Sequence, residues 1–303
     1  MRRVLSALFL CVVTLIGTIA SAQEPPKGEP NHYLGGHYYL PTTAARQPFI
    51  TSQMTLSFGG IWGTVPSRFI NRERELELAG VTPLISYQAQ VMSWLALNAG
   101  LSGNSIFGTD TASAIDYGAS ANYNARVGAL AKLYQSDTMI LSFGFDLFRG
   151  ETISPSPAAA IRRTINNLLA DSDDPLTDRA VQITYRPDFR FAWTFSPLMA
   201  MTANLGLSSE ANSLNEVKTN STRLLSDIGL DFNLGRLIGI PIGAKLNYER
   251  RDPLNNEGSR TQITTVGVFE TYSDRFNFGV EAGSYRKEGF DGNQVSFITR
   301  YVY

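Results

Sequence analysis

Residues 181–195 alternate almost without a break, and this period of two constrains the fold more than any other feature of the chain. Val181, Ile183, Tyr185, Phe189, Phe191, Trp193 and Phe195 share one parity, while Gln182, Thr184, Arg186, Asp188, Arg190 and Thr194 share the other. A β-strand sends alternate side chains to opposite faces, so one face here is apolar and the other charged. Pro187 falls on the apolar parity and reads as a local bulge or loose pairing. The pattern recurs. Ala121, Tyr123, Ala125, Val127, Ala129, Ala131 and Leu133 oppose Ser120, Asn122, Asn124, Arg126 and Lys132. Met139, Leu141, Phe143, Phe145 and Leu147 oppose Ser142, Gly144 and Asp146, and Ile50, Met54, Leu56 and Phe58 oppose Thr51, Gln53, Thr55 and Ser57.

Followed to its end, the alternation predicts twelve strands: 49–59, 82–91, 94–103, 118–133, 137–149, 179–195, 198–208, 222–235, 240–250, 261–272, 275–285 and 293–303. The strand at 261–272 alternates least clearly, with Glu270 among apolar neighbours, and Pro83 reads as a strand start or bulge. Short links at Met92-Ser93, Tyr134–Ser136, Ser196-Pro197, Arg236–Gly239 and Ser273-Asp274 take turns with longer ones near 60–81, 104–117, 150–178, 209–221, 251–260 and 286–292. Such wiring is an up-and-down meander with short turns on one rim, long loops on the other and both termini on the short-turn side. Within 150–178, Ser156-Pro157 is a helix start, and Ala158, Ile161, Ile165, Leu168 and Leu169 follow at helical spacing. A short helix near 157–170 in one long extracellular loop is expected, either packed on the barrel mouth or folded into it.

Alternation alone also fits a soluble sandwich or lipocalin-like barrel. A twelve-strand barrel with its apolar face inward is too wide for side chains to fill, so the apolar face belongs outside, against lipid. Trp94, Tyr134, Trp193, Phe195, Tyr272, Phe276 and Tyr303 gather near the short turns, where an aromatic girdle at a lipid boundary would stand. Charged residues are only 17% of the chain, against about a quarter in soluble domains. The fold class is therefore all-β: a transmembrane antiparallel up-and-down barrel of about twelve strands.

The first residues read as an export address. Arg2 and Arg3 precede an apolar run from Val4 to Ala20, which closes on Ala20-Ser21-Ala22. That is the pattern of a cleavable signal peptide over 1–22. The single cysteine, Cys11, lies inside this run behind the bulky Leu8-Phe9-Leu10, which disfavours lipidation. Residues 1–22 carry two arginines and no acid, so the rest has 24 basic and 27 acidic residues, a formal charge of −3 and no cysteine. Residues 23–47, with Pro25, Pro26 and Pro30, read as a periplasmic N-terminal linker or plug, and 48–303 as the outer-membrane barrel.

With an export signal, repeated amphipathic strands and the closing run Phe297-Ile298-Thr299-Arg300-Tyr301-Val302-Tyr303, the chain resembles the bacterial outer-membrane β-barrel proteins. The resemblance covers residues 1–22 and 48–303, and is specific for architecture and weak for function. It implies a Gram-negative cell outer membrane, lipid around the barrel, and the barrel assembly machinery as partner through the strand ending at Tyr303. From Val81 to Gly150 the chain also loosely resembles small-molecule uptake barrels of aromatic-compound degradation pathways, without a sharp motif.

Chemistry-bearing residues are sparse. The two histidines, His32 and His37, precede the first strand, and their spacing matches no common metal motif, with Glu29 the sole nearby acid. One cysteine excludes a cysteine-built metal site. Gly100-Leu101-Ser102-Gly103-Asn104 lacks the lysine and helix of a phosphate loop. Near-zero charge gives no nucleic-acid signal. No cofactor and no enzymatic activity are expected. The inward parity carries the candidate lumen-lining residues Arg126, Asp146, Arg186, Asp188, Arg190, Asp227, Asp231, Lys245, Glu281 and Arg300, with Lys132, Asn247 and Glu249 on the same face. Counted back from the turn at 236–239, Asp231 falls close to Lys245. A passive channel or uptake pore for small solutes is the expected function. A closed structural or surface-interaction barrel is the second reading and a barrel-embedded hydrolase the third.

Overall fold

The computed structural model describes residues 32–42, 46–69, 72–154, 178–214, 217–255, 259–273, 275–287 and 289–303. A two-strand hairpin, β1 (Tyr33–Leu34) and β2 (His37–Tyr38), precedes the barrel. Twelve antiparallel strands form it: β3 (Gln53–Phe69), β4 (Arg72–Met92), β5 (Leu95–Gly108), β6 (Ala119–Gln135), β7 (Met139–Ser154), β8 (Asp178–Ser196), β9 (Met199–Leu214), β10 (Val217–Phe232), β11 (Ile242–Pro253), β12 (Thr261–Glu270), β13 (Phe276–Lys287) and β14 (Phe290–Val302). Each pairs with its neighbour in sequence, and β14 pairs back onto β3, with Phe297 opposite Phe58, to close the barrel. Closure leaves no unpaired sheet edge, the condition for crossing lipid with strands.

The two faces are inverted relative to a soluble protein. Phe297 is 64% exposed, while Arg300 on the opposite parity of the same strand is 1% exposed. Phe58, Phe189, Leu205, Val266 and Phe278 point outward into solvent space, and Asp146, Asp188, Arg190, Asp231, Lys245 and Glu249 are buried inside. Outward aromatics cluster at the short-turn rim: Trp193 lies 4.5 Å from Phe195, and Tyr303 stacks on both Tyr301 and Tyr87.

Strand count and order match the reading from sequence, but three of the expected long loops are not loops. The segment 60–81 is mostly strand, leaving only residues 70–71 between β3 and β4. Likewise 209–221 shrinks to residues 215–216 and 286–292 to residues 288–289. The reason is visible in β4, where Val81, Ile85 and Tyr87 give an apolar outward parity. Farther along, Glu75 and Glu77 face outward and Leu76 and Leu78 are buried on the other parity. The apolar residues thus change sides where the strand leaves the apolar band, and the period-two signal breaks while the ladder continues. Pro83 and Pro187 are neither strand starts nor bulges, although the loose pairing expected at Pro187 is present on one side. Pro83 pairs with Phe58 of β3, and Pro187 with Phe145 of β7, in unbroken register. Each interrupts pairing only on its other side, because a strand residue directs its N–H to one neighbour alone. The bulges sit instead next to short turns, at Gln90/Met92, Lys132/Tyr134 and Thr194/Ser196.

Two short helices were not anticipated. α1 (Thr111–Asp116) occupies the link after β5, capped by the Asp110 side chain, which accepts from Ser113 N at 2.6 Å. α2 (Gly235–Ile238) forms the turn before β11. The helix expected near 157–170 lies outside the described residues.

The strand expected at 49–59 begins only at Gln53. Residues 49–52 belong instead to a segment that enters the barrel. Gln88 Nε2 donates to the carbonyls of Phe49 (2.7 Å) and Thr51 (3.0 Å), so a side chain rather than a neighbouring strand satisfies these two groups. Leu34, Tyr39 and Phe49 pack with Ile140, Ala192 and Ala200; Tyr38 and Leu40 with Phe269 and Ile298; Ile50 with Ala96 and Leu130. All these partners lie on inward positions near the short turns, so the segment fills that end of the lumen.

Candidate functional site in the barrel lumen

The inward parity of neighbouring strands brings charges together in tiers. At the short-turn end, Asp231 of β10 stands opposite Lys245 of β11 in register, and Lys245 Nζ lies 3.1 Å from its Oδ2. Lys245 Nζ also donates to the Leu40 carbonyl at 3.3 Å, so the pair holds the N-terminal segment. Arg300 anchors the same segment from β14, donating to Gln47 Oε1 (2.9 Å), Tyr38 OH (2.8 Å) and the Tyr39 carbonyl (2.7 Å), and to Asn277 Oδ1 (3.2 Å). Both histidines are buried here: His32 Nε2 is 3.2 Å from Thr51 Oγ1, and His37 Nδ1 is 3.2 Å from the Pro197 carbonyl. Burial, with the Arg300 guanidinium beside it, holds the His32 imidazole well below its ordinary pKa. Among the described residues no cluster of His, Cys, Asp and Glu is arranged to hold a metal ion.

One tier deeper, two carboxylates and three guanidinium groups form a network. Asp146 of β7 and Asp188 of β8 lie on adjacent strands, and Arg190 bridges them, Nη2 to Asp146 at 3.0 Å and Nε to Asp188 at 2.7 Å. Arg46, from the N-terminal segment, reaches the same two carboxylates, its Nη1 bonding Asp146 and lying 2.9 Å from Asp188. Arg126 of β6 sits 3.9 Å from Asp146. Asn204 ties the network onward, donating to the Arg46 carbonyl (2.9 Å) and to Asp227 Oδ2 (3.0 Å). Gly144 faces this cluster, and a Cβ there would require the Asp188 carboxylate and the Arg190 guanidinium to shift.

Beyond the network the lumen opens into a cavity of about 410 Å³. Arg46, Arg126, Arg186, Arg190, Arg251 and Arg300 line it, with Glu249 the carboxylate on the same wall. Glu249 holds Arg251, with Oε1 2.6 Å from its Nε. Facing them are neutral side chains of β3, β4, β5 and β14, among them Thr55, Ser57, Ser86, Ser102 and Ser296. Of the candidate residues named from sequence, Arg126, Arg186, Arg190 and Arg300 reach this cavity. Asp146 and Asp188 sit behind it, Asp231 and Lys245 lie at the segment, and Asp227 and Glu281 are buried elsewhere on the inner wall. Arg46, Gln47, Phe148 and Arg251 line it too and were missed. Arg251 fell in a stretch assigned to loop, and Arg46 lies in a segment with no periodicity to place it.

No protein-family model matches the chain, and no curated protein matches it. Among solved structures, the translocator domain of the autotransporter NalP from Neisseria meningitidis is similar over 84% of this chain and 88% of that one, at 10% identity and a TM-score of 0.55. An outer-membrane channel from Pseudomonas putida F1 is similar over 88% and 100%, at 8% identity and a TM-score of 0.49. The KdgM porin is similar over 82% and 99%, at 10% identity and a TM-score of 0.42. The twelve closed strands, the inverted faces and the first of these likenesses agree: this chain has the fold of the bacterial outer-membrane β-barrels.

Proposed function

We propose that the chain is an outer-membrane channel that passes small solutes passively, with its own N-terminal segment narrowing the lumen from the short-turn side. The observation that carries this reading is a polar cavity of about 410 Å³ inside a barrel whose exterior is apolar. A structural barrel gains nothing from leaving room among charged side chains, whereas a solute path requires it. In this reading residues 1–22 are a cleaved signal peptide, the short turns face the periplasm, and the strand ending at Tyr303 is presented to the barrel assembly machinery. Residues 23–47 are then a plug rather than a linker, a reading supported by the packing of the described residues 34, 38–40 and 49–50 against the inner wall.

One observation favours a second reading, a closed barrel without transport: the segment holds the short-turn end through buried bonds to Gln88, Thr194, Lys245 and Arg300. Swelling of liposomes containing the purified full chain, in isotonic small neutral and charged solutes, separates the two. Permeation that falls off with solute size supports the channel, and swelling no faster than protein-free liposomes supports the closed barrel.

A further inference from the structure

The cavity wall is unevenly charged. Six guanidinium groups line it, and the carboxylates in contact with them, Asp146, Asp188 and Glu249, number half as many. The imbalance falls on particular side chains. Arg190 and Arg46 share the two aspartates, and Arg251 has Glu249. Arg126 touches a carboxylate only at 3.9 Å, and its Nε has no hydrogen-bond partner. Arg186 shares the Glu249 and Asp188 carboxylates with the other arginines at longer range, and its Nε is buried with no hydrogen-bond partner. A buried guanidinium with an unmet donor is costly unless something fills the place. Both side chains line the cavity, their Nε atoms lying just behind its surface.

We infer that this chamber is a binding site for small polyanions carrying carboxylate or phosphate groups, held by Arg126 and Arg186 against the Arg46–Arg190 network. Planar guanidinium groups match both anions, donating paired N–H bonds to two oxygens. Hydroxyls of Ser86, Ser102 and Ser296 on the facing wall can take the remaining polar contacts of such a molecule. The volume falls in the range of about 300–1,000 Å³ usual for small-molecule sites. Arg46 comes from the N-terminal segment, so the segment that narrows the lumen also completes the site. The inference deepens the channel reading and rests on solute reaching the lumen, but binding and conduction can fail separately.

The test is calorimetric titration of the detergent-solubilised full chain with citrate at low salt and pH 7. Inorganic pyrophosphate is the phosphate arm and glycerol the neutral control. Citrate and pyrophosphate should each saturate at one per chain and compete, binding should weaken as KCl is added, and glycerol should not bind. Arg126→Gln/Arg186→Gln should weaken citrate about tenfold or more. Arg250→Gln, on the outward parity, should leave binding unchanged. Absence of saturable binding by either anion, equal binding of glycerol, or full binding by the double variant overturns the inference. Heat-modifiable gel migration verifies that the double variant folds; if it does not, the anion-against-glycerol comparison on the native chain decides alone. Binding without liposome permeation overturns the channel and leaves the site, and permeation without binding overturns the site alone.

Discussion

Placing an arginine at Phe189 should destabilise the membrane-inserted barrel far more than placing one six residues away at Phe195. Both side chains point outward, 51% and 41% exposed, on β8. The apolar outward positions of that strand run from Ile183 to Phe195, which puts Phe189 at their centre. Six residues span about 20 Å along a strand. At a tilt near 40° that is about 15 Å along the membrane normal, slightly more than half of an apolar band about 25 Å tall. Phe195 therefore lies at the boundary when Phe189 lies at mid-depth. An arginine costs about 2–4 kcal/mol at the midplane and about 0–1 near the interface. Phe189→Arg should shift the folding equilibrium by roughly 30- to 1,000-fold, and Phe195→Arg by less than about tenfold. Ser102→Glu supplies the inward control: its side chain faces the arginine-lined cavity and should cost under about 1 kcal/mol. Urea titrations of folding into phosphatidylcholine vesicles, followed by tryptophan fluorescence and gel migration, measure all three. Equal costs at 189 and 195, or a larger cost for Ser102→Glu, would refute the assignment of faces and depth.

The lumen network makes two further predictions. Asp146→Asn removes the carboxylate that Arg46 and Arg190 both contact, and should cost about 3–5 kcal/mol in the same titration while exposing the segment around Arg46 to protease. Gly144→Ala should displace the Asp188–Arg190 pair and cost about 1–3 kcal/mol, with the barrel still formed, and proteolysis of the N-terminal segment should again report the loosening.

The barrel was legible because lipid outside and charge inside impose a strict alternation on every strand that crosses. A plug was one of two readings of residues 23–47, but where such a segment would seat was not legible, for a related reason. The segment seats on Leu130, Ile140, Phe269 and Ile298, apolar residues on the inward parity. In the sequence these blur the alternation, and β12 read as the least certain strand. In the structure Phe269 of that strand packs on Leu40 and Tyr38 of the segment. Inward apolar residues confined to the short-turn end are the trace a plug leaves. Asp231 and Lys245 could be brought together by counting across a tight turn, since register there follows from chain length. Arg46 could not be brought to Asp146 and Asp188, because the chain before β3 has no ladder to fix its register. The extensions of β3 and β4 were hidden because the apolar residues change parity between Val81 and Leu78.

The central claim is a conducting barrel narrowed by residues 32–42 and 46–52, and single-channel current in planar bilayers tests it most directly. The full chain should be compared with a chain lacking 32–47. Deletion leaves all twelve strands and their ladders, and leaves Asp146 and Asp188 paired with Arg190. The account predicts small, resolvable openings for the full chain and a severalfold larger conductance after deletion. Equal conductance in the two chains, or no current from either, would contradict it.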